Sequence, residues 1–221
     1  MRCSCCQKEL ISNLTLRELF FSPSLRCYHC EKLFTRIEQR TTCPGCGRAD
    51  TAELCQDCRA WQGKLGFVMG NKSLFRYNAG FRQWIEPYKF TGDYRLRGAF
   101  ATELAQYLRE YRKYVICPLP LSTERFEQRG FNQVSSCLDS AGVTYELLLK
   151  RKELAPQSEK SREERLKMIQ PFELNRPNEK IRNQKVLLVD DVYTTGRTLF
   201  HGAEILYRNG AETVKSLTFA R

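Results

Sequence analysis

Along the last two-thirds of the chain, apolar residues recur with two different periods. Phe81, Trp84, Ile85 and Tyr88 fall three or four apart, as do Leu96, Phe100, Leu104, Tyr107, Leu108 and Tyr111, and this spacing lines one face of a helix. Leu74–Tyr77 and Tyr114–Cys117 are short apolar runs that predict strands. Asn132–Ser140 predicts a helix, Val143–Leu149 a strand and Ser161–Ile169 a short charged helix. Lys185–Val189 is an unbroken aliphatic run of the kind a fully buried strand needs, and a helix follows from about Thr198 to Asn209. Strands alternating with helices predict an α/β domain over residues 63–221.

Residues 1–62 follow neither period, and cysteine explains why. Nine of the 11 cysteines precede Arg59, and eight form the C-x-x-C pairs Cys3/Cys6, Cys27/Cys30, Cys43/Cys46 and Cys55/Cys58. Each pair supplies half of a tetrahedral thiolate site, so four pairs predict a small zinc-binding domain with two structural Zn²⁺ ions. Chain order favours the first two pairs sharing one ion and the last two the other, while spacing equally permits an interleaved arrangement. His29, between Cys27 and Cys30, is read as a neighbour and not a ligand. A segment of this size has little aliphatic content, so metal binding would supply folding free energy that its core cannot.

Residues Met1–Leu10 lack the apolar stretch of a secretory signal, and no apolar run approaches the roughly 20 residues of a membrane span. The expected location is therefore cytoplasmic, where disulfides rarely persist and paired cysteines bind metal. At 42% hydrophobic and 11% aromatic the chain is not a disordered one. Its formal charge of +11 favours polyanions, either nucleic acid or phosphorylated metabolites.

The run that follows the aliphatic strand narrows this choice. Asp190, Asp191, Val192, Tyr193, Thr194, Thr195, Gly196, Arg197 and Thr198 place an acidic pair, then hydroxyls and a glycine, at a helix start. Free N–H groups and the dipole at a helix N-terminus attract phosphate, and Gly196 permits close backbone approach. Adjacent carboxylates accept hydrogen bonds from vicinal hydroxyls, so the expected ligand carries a phosphate, a diol and Mg²⁺. A ribose 5-phosphate meets that description. A Walker loop is excluded, since no Gly-Lys-Ser/Thr is present.

Val186 to Thr198 resembles the 5-phosphoribosyl 1-diphosphate (PRPP) motif of type I phosphoribosyltransferases at every position. That resemblance implies that Asp190 and Asp191 hold the ribose hydroxyls and that Thr194, Thr195, Gly196, Arg197 and Thr198 hold the 5-phosphate. Two further stretches are similar to the ComF family of bacterial competence proteins. One runs from Pro118-Leu119-Pro120-Leu121 through Arg125, Arg129, Gly130, Phe131, Asn132 and Gln133; the other contains Gln157, Arg162, Arg165 and Phe172. Arg125 and Arg129, after a strand end at the crevice of an open sheet, are placed to neutralise a diphosphate. The resemblance makes theirs the pyrophosphate loop, and the basic span from Arg151 to Lys185 looks like a flap that closes over PRPP.

Family context implies the handling of single-stranded DNA during natural transformation, beside the ATP-driven translocase ComFA and at the inner face of the membrane. Phe81, Arg82, Trp84, Tyr88, Lys89, Phe90, Tyr94, Arg95 and Arg97 interleave aromatic and basic residues as single-strand binders do, although Phe81, Trp84 and Tyr88 also form one helical face suited to a core. The competing expectation is an active phosphoribosyltransferase on a small acceptor.

Overall fold

The computed structural model describes residues 2–10, 25–152, 170–175 and 181–221. Among them, β1 (Asn71–Phe75), β2 (Val115–Pro118), β5 (Lys185–Val192) and β6 (Thr213–Ala220) form one sheet in the order β1-β6-β5-β2. All three neighbouring pairs are parallel, with Asn71 opposite Ser216, Val186 opposite Val214 and Ile116 opposite Leu187. A separate antiparallel ladder joins β3 (Leu149–Arg151) to β4 (Phe172–Leu174). The open parallel sheet expected of a phosphoribosyltransferase-like α/β chain is present.

Successive strand residues point to opposite faces, so a strand buried on both sides feeds two cores. β5 sends Leu187 and Val189 into one and Val186 and Leu188 into the other. The first core is covered by α3 (Ala79–Phe90), α4 (Ala101–Leu108) and α6 (Gln133–Ser140). In α3, Asn78 caps the start by accepting from the Phe81 N–H at 2.9 Å, and Phe81, Trp84, Ile85 and Tyr88 are all buried. Each such side chain contributes on the order of 2 kcal/mol through burial. The second core lies under α7 (Arg197–Arg208), through Leu199, Phe200, Ala203 and Leu206.

The N-terminal segment touches both faces. Phe34, just after α1 (Tyr28–Glu31), joins the first core edge-on to Phe100 at 4.8 Å, whereas Cys43, Cys46, Cys55 and Cys58 join the second. Between them, Ile37 N–H donates to Leu74 O at 3.0 Å and Arg76 N–H to Thr35 O at 2.8 Å, so residues 35–37 cover the outer edge of β1. An unpaired strand edge invites aggregation, and here the chain closes its own. α2 (Gln56–Leu65) carries Cys58.

Several expected elements differ. Val143–Leu148 is not a strand: Gly142 turns the chain at φ +65°, Glu146 N–H makes a single bond to Ile116 O, and pairing begins only at Leu149. The expected helix from Leu96 opens as a 3₁₀ turn, Tyr94–Phe100, in which a Cβ on Gly98 would lie 3.1 Å from Ser4 Oγ. β5 runs on to Val192, so the acidic pair belongs to the strand and does not follow it. Phe81, Trp84 and Tyr88 are core and leave the exposed aromatic surface to others. The expected helix Ser161–Ile169 and the flap residues Gln157, Arg162 and Arg165 lie outside the described residues. Among the described residues, no helix is long and apolar enough to cross a membrane.

Candidate functional site

The cysteine pairs combine in chain order. Cys3, Cys6, Cys27 and Cys30 form one tetrad and Cys43, Cys46, Cys55 and Cys58 the other, with all four ligand atoms of each within 4.8 Å of one another. Four thiolates at about 2.3 Å from a tetrahedral Zn²⁺ stand about 3.8 Å apart. The observed sulfur separations are 3.8 Å for Cys6–Cys27, 3.8 Å for Cys43–Cys58 and 3.6 Å for Cys46–Cys55, so both tetrads have the dimensions of a closed metal site. Backbone N–H groups also point at sulfur, from Cys27 to Cys3 Sγ at 3.2 Å and from Cys55 to Cys43 Sγ at 3.3 Å. The interleaved arrangement is excluded.

Each tetrad is tied to the sheet domain. Beside the first, the buried Arg26 guanidinium pairs with Glu103 on α4 and lies over Phe34 at 5.4 Å and Phe100 at 5.2 Å. Beside the second, Asn71 donates from its backbone to Gly45 O at 2.8 Å and from its amide to Cys46 O at 3.0 Å, and it accepts from Ser216 Oγ at 2.9 Å. These bonds satisfy polar groups that would otherwise be buried at a cost.

The phosphate-type loop joins β5 to α7. Gly196 is the N-cap of α7 with φ +76°, and the cap makes no side-chain hydrogen bond to the helix. Of the first-turn N–H groups, that of Arg197 donates to Thr195 Oγ1 at 3.4 Å and those after it have no side-chain acceptor from the cap, with the exposed Thr194 and Thr195 at the rim. Glycine is required here twice over: the conformation is left-handed, and a Cβ would lie 2.2 Å from Tyr193 Oη. Tyr193 is itself buried beneath the Arg221 guanidinium at 4.2 Å. From α2, Trp61 Nε1 donates to Thr195 O at 3.0 Å while its ring stacks on Phe200 at 4.5 Å. Asp57, Trp61 and Lys64 face Thr194, Thr195 and Arg197 across a cavity of about 490 Å³.

The two carboxylates differ sharply. Asp191 is buried; its Oδ1 accepts from Lys89 Nζ at 2.6 Å and its Oδ2 from the Gln133 amide. Gln133 in turn accepts from Arg129, whose Nε donates to Lys89 O at 2.9 Å, and the ring closes. Among the described residues, Asp190 has no cation bonded to it; one oxygen accepts from Asp191 N–H at 2.9 Å. Burial, then the charge of Asp191, pushes its carboxyl up to about 7. Arg151 on β3 lies over Phe172 at 5.5 Å, its buried Nε unpartnered among the described residues; burial, then the charge of Arg125, lowers its proton affinity, and the charge of Asp190 opposes this. Arg125 is exposed on α5 (Thr123–Arg129), so the expected pyrophosphate loop is in part a helix, with Arg125 facing solvent and Arg129 turned inward.

A Mg²⁺ expected with PRPP would meet Asp191 with the Lys89 ammonium already on Oδ1 and the Gln133 amide on Oδ2, so a dication on Asp191 would sit against a like charge. The acidic pair as folded does not fit a divalent cation.

The sequence pattern attaches Lys89 only to nucleic-acid binding and Arg151 only to the flap, gives Gln133 no role and does not mark Trp61 or Tyr193 as site residues. Only Gln133, inside the Arg-Gly-Phe-Asn-Gln stretch, carried a local signal.

Residues 99–221 match the phosphoribosyl transferase domain family. Competence protein ComFC of Streptococcus pneumoniae (strain ATCC BAA-255 / R6) is 35% identical over 224 residues, covering 100% of both chains. Competence protein ComFC of Bacillus subtilis (strain 168) is 32% identical over 232 residues, 99% of this chain and 94% of that one. Among solved structures, adenine phosphoribosyltransferase from Leishmania tarentolae aligns at 16% identity over 61% of this chain and 74% of that one, with a TM-score of 0.36. Identity sustained from end to end, with the phosphoribosyl transferase domain in the half that bears the loop, places the chain in the ComFC family of competence proteins.

Proposed function

We propose that this competence protein handles single-stranded DNA during transformation, with a pocket for a ribose 5-phosphate group at the end of β5 and a structural Zn²⁺ in each cysteine tetrad. The observation that carries the reading is a set of exposed aromatics close in sequence to Lys89 and Arg129. Phe90, next to Lys89, is 81% exposed; Phe126, one turn before Arg129, is 52% exposed; Tyr94 is 42% exposed and packs on Phe131 at 5.0 Å. Arg97 lies over Tyr94 at 4.3 Å, and Arg125 is open to solvent on the same helix as Phe126. Large apolar groups are exposed at a cost unless something covers them, and bases stacked on rings with phosphates on arginines do so.

Asp190, Asp191, Thr194, Thr195, Gly196, Arg197 and Thr198 are assigned to the ribose 5-phosphate of PRPP or of a nucleotide, and Arg125 and Arg129 to further phosphate. A ComFA-type ATP-dependent translocase is the proposed protein partner, to be sought by co-purification. Filter binding of single-stranded DNA over a salt series tests the main reading. Phe90→Ala with Phe126→Ala should weaken binding by about tenfold or more, since a stacked base contributes roughly 1–3 kcal/mol. Binding that is unchanged in the double variant contradicts it.

A second reading, transfer of the ribosyl group to a small acceptor, is supported by the loop and acidic pair sharing one crevice. Release of pyrophosphate from PRPP only when an acceptor base is added would favour transfer.

A further inference from the structure

The acidic pair of a ribose-phosphate site has to lie close to anionic ligand groups, and something must offset its charge. In this protein the offset comes from the polypeptide. Lys89 Nζ is 2.6 Å from Asp191 Oδ1, with side-chain exposures of 22% and 6%. The pair does not form by chance contact of two mobile side chains. Arg129 Nε holds the carbonyl of Lys89 at 2.9 Å, and Arg129 also occupies the Gln133 oxygen, which leaves the Gln133 amide nitrogen to donate to Asp191. Thus the ammonium and the amide are both aimed at one carboxylate by a third residue. A dication on Asp191 would have to sit against, or displace, a half-buried ammonium of like charge.

Lys89 also comes from outside the matched domain. It is in the last turn of α3, and the phosphoribosyl transferase match begins at residue 99. The cation is therefore contributed by a helix that packs on the sheet but precedes the matched residues.

We infer that Lys89 is the resident cation of the acidic pair, so that the pocket binds the ribose 5-phosphate group without a divalent metal on Asp190 or Asp191. This rests on the reading that the pocket takes a ribose 5-phosphate at all. With Lys89 on Asp191, the Asp190 carboxyl is the group left to meet the ribose hydroxyls, and it can accept from one or donate to the other.

The test is calorimetric titration of the zinc-loaded full chain with ribose 5-phosphate, a ligand with no diphosphate to bring in Mg²⁺ of its own. Added Mg²⁺ should change wild-type affinity by less than about threefold. Lys89→Met should weaken binding by about tenfold or more in Mg²⁺-free buffer, because it leaves a buried carboxylate unpaired, and millimolar Mg²⁺ should restore part of the loss. Lys89→Arg, which keeps the charge, should retain Mg²⁺-independent binding within about threefold. A second readout needs no sugar ligand: Mn²⁺ followed by electron paramagnetic resonance should bind Lys89→Met more tightly than wild type by about tenfold. Wild-type binding of ribose 5-phosphate that requires Mg²⁺, or Mn²⁺ affinity equal in the two proteins, overturns the inference alone. Absence of ribose 5-phosphate binding under every condition overturns the underlying reading as well.

Discussion

Trp61 and Thr195 are 134 residues apart in the chain, and the indole Nε1 of one donates to the backbone oxygen of the other at 3.0 Å. The helix that carries Cys58 thereby reaches the loop that caps α7. A shift of the second cysteine module must strain that bond or break it. Trp61→Phe keeps a ring to stack on Phe200 but removes the donor, so it should weaken ribose 5-phosphate binding by a few fold with little change in melting temperature, given that such a bond contributes about 1 kcal/mol. Trp61→Ala loses the stack too and should also lower the melting temperature. If Trp61→Phe binds ribose 5-phosphate as wild type does, the loop is held by Tyr193 alone.

Metal analysis of the reduced protein should return two zinc ions per chain, one for each tetrad. Cys43→Ser should lower that count by one and destabilise the region around Asn71, Gly45 and Cys46, because structural zinc contributes folding free energy directly. Hydrogen exchange would locate the effect. A zinc content near zero in reduced, folded protein contradicts the assignment.

Gly196→Ala puts a Cβ against Tyr193 Oη and forces an L-residue to φ +76°. The left-handed backbone alone costs roughly 1–2 kcal/mol. Phosphate binding should fall by at least about tenfold, and the double change with Tyr193→Phe should recover little of it, since the ring Cζ still lies 2.5 Å from the new Cβ and the backbone cost remains. Full recovery would mean that the hydroxyl clash was the whole effect.

The proton affinity of Asp190 makes stability depend on pH with a defined sign. Its carboxyl titrates near 7 when folded, against an ordinary value of 3.8. Between those values the folded chain holds the extra proton, so this group's contribution falls as pH rises from about 4 to 7, and the full penalty is present above 7. Allowing for its partial exposure, the penalty is on the order of 2 kcal/mol. Asp190→Asn should raise the melting temperature at pH 8 and flatten its dependence across that window. A steeper dependence in the variant would contradict that sign.

What could be read from the sequence was local. The buried strand, the acidic pair and the Thr-Thr-Gly turn lie within one run of residues, and each signal needs only its neighbours to be interpreted. The four C-x-x-C turns were equally plain, yet spacing left their combination open, since it depends on how residues 25–58 fold back on residues 2–10. The ring on Asp191 was not legible at all. Lys89 and Gln133 reach it across 102 and 58 residues, and a lysine beside a helical core face has no feature that marks it as a partner. The same distance hid the burial of Asp191, which an acidic residue after a strand does not suggest. Val143–Leu149 misled because its apolar residues meet the edge of β2 through one backbone bond, from Glu146 to Ile116, and pair no further until Leu149.

The central claim is that the end of β5 and the start of α7 form a ribose 5-phosphate site. Calorimetric titration of the full chain with PRPP, wild type against Thr195→Pro, tests it most directly. Proline at that position leaves the indole acceptor of Thr195 in place and removes an N–H and a hydroxyl from the rim of the loop. Saturable binding at one site per chain, weakened by about tenfold or more in a variant that still melts cooperatively, is the predicted result. No saturable heat with wild type, or equal affinity in the two proteins, contradicts the account.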